Sequence, residues 1–138
     1  MTKFLRPSPR PSRLASVLAA LLMAGSAARA QTIADGSDAA LPAGTAPAVM
    51  ALLGKGLKAP EAARYGRLRP GRAGAICGDV DTTNRMGQHV GPRGFVADLE
   101  SGFAAIVPDG PELRNPASPA HYAAMQRTLA LFSANCAI

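Results

Sequence analysis

Two cysteines, Cys77 and Cys136, stand 59 positions apart, and the 138-residue chain has no other. Whether they form a staple or remain two inert thiols depends on where the chain folds. Disulfides persist in oxidising compartments and are rare in the cytosol. The first thirty residues bear on that question. Lys3, Arg6, Arg10 and Arg13 make a basic start with no acidic residue. Leu14 to Ala24, "LASVLAALLMA", is an apolar or small run of 11 residues, and Ala28-Arg29-Ala30 has the small-x-small form cut by signal peptidase. This is the three-part layout of a secretory signal peptide. A bilayer span needs about 20 apolar residues, so the run is too short for a membrane anchor. No cysteine near the cut invites lipid attachment, and no adjacent arginines indicate the twin-arginine route.

The expected organisation is a signal peptide over 1–30, a flexible leader over 31–46 and one small α+β domain over 47–138. In an exported chain an even cysteine count reads as a disulfide, Cys77–Cys136. A loop of that length contributes roughly 4 kcal/mol in the chain-entropy account. Two separately buried thiols are the alternative, because sequence does not give the Cα separation a bridge requires. Export also changes the charge. The full chain has 15 Lys plus Arg and 9 Asp plus Glu, a net charge of +6. Lys3, Arg6, Arg10, Arg13 and Arg29 leave with the signal, so the product from Gln31 keeps 10 basic and 9 acidic residues, net +1. With no basic run and no aromatic ladder, nucleic acid is not an expected partner. No second hydrophobic span follows, so the exported product is expected to lack a membrane crossing.

Residues 31–46 are rich in Ala, Gly, Asp and Pro and offer little to bury, hence the flexible leader. Thr45 is placed to cap a helix with Pro47 in its first turn; Val49, Leu52, Leu53 and Leu57 then share one face. "PEAARYG" predicts a short helical turn ending near Tyr65. "AGAICGDV", residues 73 to 80, reads as a strand with Ala75, Cys77 and Asp79 on one face and Ile76, Gly78 and Val80 on the other. "GFVADL" and "GFAAIV" are two more strands joined by a hairpin through "ESG". Ser118 and Pro119 open the strongest helix, whose stripe is Tyr122, Met125, Leu129, Phe132 and Cys136. The predicted fold is therefore α+β: an N-terminal helix, a small antiparallel meander of three to four strands, and a C-terminal helix packed on the sheet.

The chemistry-bearing residues concentrate in "ICGDVDTTNRMGQHVGPRGF", residues 76 to 95. Nucleophilic catalysis needs a nucleophile beside an oriented base. His89 is the only histidine in this stretch, Cys77 is accounted for by Cys136, and no GxSxG motif occurs. As a calcium loop, Asp79, Asp81 and Asn84 fall at positions 1, 3 and 6, whereas an EF-hand wants 1, 3 and 5 with Gly at 6 and Glu at 12. Zinc would need more converging ligands than Asp81 and His89 supply. Gly87, Gly91 and Gly94 precede neither a helix nor a GK[ST] element, so they make no phosphate cradle. No metal and no cofactor is expected. Asn84 and the glycines suit a wide, internally hydrogen-bonded loop between two strands.

These residues also carry a resemblance. "CGDVDTTNRMGQHVG" resembles a motif of small secreted or envelope proteins of Gram-negative bacteria of unknown function, in which Cys-Gly-acid-Val-Asn-x-x-Asn-x-x-Gly-Gly-Tyr-x-Gly precedes a Phe-containing strand. Cys77, Gly78, Asp79, Val80, Asn84, Gly87, Gly91 and Phe95 match it. Upstream, "LKAPEAARY" is similar to their Lys-Asp-Pro-x-Ser-Ala-x-Phe element through Pro60, Ala63 and Tyr65. Asp81 stands for the usual Asn, Gln88 for a Gly, His89 for a Tyr and Pro92 for an aromatic residue. The resemblance covers about residues 57 to 96 and implies a secreted or periplasmic domain, with no activity attached.

Two functional readings follow. In the first, the chain is a non-catalytic envelope module that binds an envelope or extracellular protein or a cell-wall component through Asp81, Asn84, Arg85, His89 and Arg93. In the alternative it is a small hydrolase or metal-dependent enzyme using Asp79, Asp81 and His89. The first is preferred because catalytic constellations require convergent partners that this chain barely offers. The processing expectation is directly testable. N-terminal sequencing of exported protein is expected to begin at or near Gln31; recovery of Met1 refutes it.

Overall fold

The computed structural model describes residues 31–138; the expected signal peptide lies outside the described residues. The chain forms an α+β fold around a five-stranded mixed sheet in the order β1 to β5. The strands are β1 (Thr32–Ile33), β2 (Arg64–Pro70), β3 (Ile76–Thr83), β4 (His89–Asp98) and β5 (Phe103–Ile106). The helices are α1 (Thr45–Gly54), α2 (Gly110–Arg114) and α3 (Pro119–Asn135). Strands β2 to β5 form an antiparallel meander, and β1 adds to β2 in parallel. The expectation of three to four antiparallel strands is thus corrected to five strands, one of them parallel. Among the described residues no helix is long and apolar enough to cross a membrane.

The central strand β3 alternates as its sequence predicts. Ile76 and Val80 enter a core with Tyr65, Leu68, Phe95 and Ala97, which Val49 and Leu53 of α1 cover. Ala75, which precedes the strand, and Cys77 face the other way with Val96, packed by Cys136 and half-buried Leu131 and Phe132 of the α3 segment. The sheet therefore has a helix on each side. Tyr65 and Phe95 are fully buried and meet edge to face at 6.2 Å between ring centroids. Such pairs contribute about 0.5–1.5 kcal/mol beyond their area. Gly78 stands opposite Phe95, and a Cβ there would sit 2.8 Å from the Phe95 ring and 2.9 Å from Leu68. Only glycine lets that ring lie across the strand.

The segment after Ile33 corrects the expectation of a flexible leader. Strand β2 carries a bulge between Gly66 and Arg69, with Arg67 at φ +49°, the left-handed region. A bulge turns backbone donors out of the ladder. Asp35 Oδ2 accepts the Arg67 N–H at 2.7 Å, and Ser37 Oγ accepts the Leu68 N–H at 2.9 Å. Ala34 N–H donates to the Tyr65 carbonyl at 2.8 Å, and Leu41 is buried in the α1 core. Residues 32–41 are thus docked by satisfying what the bulge leaves open. The helical turn expected up to Tyr65 is confined to a 3-10 turn, Pro60–Ala62, because β2 already begins at Arg64. Tyr65 and Leu68 share a core face although three positions apart, so the period of two is broken. At α1, Gly44 occupies the cap position, and Thr45 is the first helical residue.

Helix α3 begins as expected, with Ser118 Oγ accepting the His121 N–H at 3.0 Å and Pro119 following. Its stripe is corrected at one end: Met125, Thr128, Asn135 and Cys136 are buried, whereas Tyr122 is 48% exposed. Thr128 is buried without penalty because its hydroxyl donates to the Ala124 carbonyl at 2.7 Å. The C-terminal end is lashed down. Cys77 and Cys136 form a disulfide with Cα atoms 5.6 Å apart. Asn135 Oδ1 accepts the Ala73 and Ala75 N–H groups at 2.8 and 3.1 Å, and its carbonyl accepts the Arg72 N–H at 3.1 Å.

Two substitutions should act in opposite senses. Asn135→Ala orphans a buried donor and is expected to cost about 1–3 kcal/mol in denaturant unfolding. The Tyr65 hydroxyl is buried with no hydrogen-bond partner among the described residues. Tyr65→Phe is therefore expected to be neutral or stabilising, and a clear loss of stability would contradict this account.

Candidate functional site

The polar stretch folds as a hairpin end. Strand β3 continues to Thr83 and β4 starts at His89, so the expected wide loop is corrected to a five-residue connection over 84–88. Asn84 organises it. Its Oδ1 accepts the N–H groups of Met86 and Gln88 at 2.9 and 3.0 Å, and its backbone N–H donates to the Gln88 carbonyl at 2.9 Å. Gly87 closes the turn at φ +77°, donating to the Asn84 carbonyl at 3.0 Å. Asn84 therefore holds the turn conformation, as its residue type suggests.

Register places the other candidates. Asp81 pairs with Arg64 and Pro92, Asp79 with Gly66 and Gly94, and Thr83 with His89. Directly opposed residues share a sheet face, and Asp79 and Asp81 follow Cys77 at steps of two. Asp79, Asp81 and His89 thus lie on the face that α3 covers further along. Each is engaged within the fold. Asp79 forms an ion pair with Arg67. Asp81 Oδ1 accepts the Gly91 N–H at 3.0 Å. His89 Nδ1 lies 3.3 Å from Asp81 Oδ2, an ion-pair distance, but without the alignment of a hydrogen bond. Arg93 is turned away: its Nη2 donates to the Val107 carbonyl at 2.7 Å and to Glu112 Oε2 at 2.9 Å, tying β4 to α2. Arg85 is exposed on the turn and lies apart from the Asp81–His89 pair, lining a cleft with Lys58, Ala59, Thr83 and Asn84. Asp81, Arg85 and His89 therefore do not converge on one pocket.

The outer end of the hairpin is apolar as well as basic. Met86 is 81% exposed and Val90 57% exposed. A second concavity, of about 420 Å³, lies where α3 ends over the sheet, between Arg67, Arg69, Asp79 and Phe132. Both of its arginines are bonded, Arg67 to Asp79 and Arg69 Nη2 to the Cys136 carbonyl at 2.7 Å. Among the described residues no three His, Cys, Asp or Glu side chains group so as to hold a metal ion.

The carboxylates with displaced pKa values are structural. The Asp35 carboxyl is lowered from 3.8 to about 2, chiefly by the Arg67 backbone N–H and then by Ser37. Glu112 is lowered by its bond from Arg93, and Asp98 by the Ser101 hydroxyl. Burial raises the Tyr65 phenol. Sequence reasoning missed Arg67, Asp35 and Lys58. A non-glycine residue in the left-handed region carries no sequence mark, and Asp35 reaches Arg67 across 32 positions. No protein family, curated protein or solved structure matches the chain.

Asp35 yields a pH test. A carboxyl whose folded pKa lies below its unfolded value adds stability above about pH 4 and loses that contribution as the pH falls toward 2. Thermal melts are expected to show an acid limb in that window, flattened in Asp35→Asn. An unchanged limb in the variant would show that Asp35 does not dock the 32–41 segment.

Proposed function

We propose that this chain is an exported, non-catalytic binding module of the bacterial envelope or periplasm, and that it engages a partner through the outer end of the β3–β4 hairpin. The observation that carries this reading is a division of labour. The groups suited to chemistry, Asp79, Asp81 and His89, are held by bonds or ion pairs inside the fold. Arg85, Met86 and Val90 project unengaged, and an exposed methionine on a rigid turn suits a contact surface. A staple between Cys77 and Cys136 supports export to an oxidising compartment. The signal-peptide layout and the resemblance over residues 57 to 96 support the same destination. The partner is an envelope or extracellular protein or a cell-wall component.

A photo-crosslinking residue at position 86 tests this. Saturable cross-linking in envelope fractions is expected, competed by excess unlabelled protein and absent from position 100 in the opposite hairpin. Equal labelling from both positions would remove the hairpin end as the contact surface.

A further inference from the structure

Near the hairpin end, neither Lys58 nor Arg85 has a counter-charge among the described residues. Lys58 follows α1, Arg85 sits on the 84–88 turn, and they line one cleft of about 440 Å³ with Ala59, Thr83 and Asn84. No carboxylate lines it. The chain's nine acidic residues all lie within the described residues, and the three ion pairs they form among those residues use Arg67, His89 and Arg93. Lys58 and Arg85 belong to none of them. Three other arginines are engaged within the fold: Arg69 and Arg72 on carbonyls of the α3 end, and Arg127 over the Phe103 ring at 4.2 Å.

We infer that the Lys58–Arg85 cleft binds an oxyanion, a carboxylate or phosphate group carried by the partner. This deepens the hairpin reading and rests on it. Like charges brought to one concavity repel, and an anion between them turns that repulsion into two attractions. The chemistry is complementary: guanidinium offers a planar fork to two oxygens, ammonium a point charge to a third. The Thr83 hydroxyl makes no hydrogen bond within the described residues and is free to donate. Asn84 is committed to the turn through its Oδ1, which fixes where Arg85 emerges. The volume suits a small acidic group with a short stem. Met86, beside Arg85, would meet apolar surface next to that group.

Amide NMR titrations of the protein expressed from its full-length sequence test the inference. Sodium phosphate and sodium acetate serve as separate probes, with sodium chloride holding ionic strength constant. Saturable shifts are expected at Lys58, Ala59, Thr83 and Arg85, and the responding probe identifies the source as phosphate or carboxylate. Lys58→Ala and Arg85→Ala should each weaken the apparent affinity about tenfold or more, the loss of one charge-assisted contact. Lys55→Ala should leave it unchanged, and melting temperatures should match the parent's. Shifts that do not saturate, that Lys55→Ala reduces equally, or that survive both cleft substitutions would overturn it. If the position-86 cross-link persists in Lys58→Ala and Arg85→Ala while neither probe binds, the oxyanion site fails and the hairpin reading stands. If the probes bind at the cleft but no competed cross-link forms, the hairpin reading fails alone.

Discussion

The lashing of the C-terminal residues to the β2–β3 connection holds the second layer of this fold together. Helix α3 has a thin apolar face: only Met125, Thr128 and Asn135 are buried along its 17 residues. Such a face would hold weakly by hydrophobic burial alone. The helix is instead fixed at one end by the Cys77–Cys136 bridge and by Asn135, which takes two N–H groups of the 73–75 segment. Arg69 and Arg72 add donors to the Cys136 and Ser133 carbonyls. The last carbonyls of a helix have no partners within it, so these arginines satisfy groups that would otherwise need solvent. The covalent bridge and the polar clamp occupy adjacent positions, Cys136 and Asn135.

The N-terminal edge of the sheet is held in a different way. The bulge in β2 releases the N–H groups of Arg67 and Leu68, and the side chains of Asp35 and Ser37 accept them. One irregularity thereby recruits the N-terminal segment as a fifth strand and swings Arg67 over Asp79. That placement bears on function. An aspartate on an open sheet face would be a candidate for chemistry; paired with Arg67 it becomes part of the scaffold. Asp81 is likewise absorbed by Gly91 and His89. The hairpin is rigid because its polar residues bond one another, and a rigid hairpin presents Arg85 and Met86 at little entropic cost on binding.

Legibility in the sequence followed the range of the interactions. The alternation of Ala75 and Cys77 against Ile76 and Val80, the cap at Ser118, the 99–102 hairpin and the turn role of Asn84 rest on neighbours within a few positions. All were readable. The stripe on α3 was readable in period but not in extent, since Tyr122 fits the spacing and yet is exposed. The width of the 81–92 loop was misjudged because Asp81, Thr83 and His89 are polar in a strand. They are only half-buried there, and Asp81 accepts the Gly91 N–H, which makes that tolerable, and no local pattern announces it.

The sequence by itself determined the α+β character, the two-faced central strand and the conformational purpose of Asn84 and Gly87. Each follows from periodicity or backbone preference that the residues carry with them. Only the tertiary structure decided that residues 32–41 belong to the fold, that Asp79 is paired with Arg67 and Asp81 bonded by the Gly91 N–H, and that Lys58 and Arg85 line one cleft with no counter-charge among the described residues. Those outcomes depend on which groups the folded chain brings together from distant positions, up to 32 apart for Asp35 and Arg67. Charge pairing depends on distance in space, and separation along the chain does not specify it until a bulge or a register shift has chosen the neighbours.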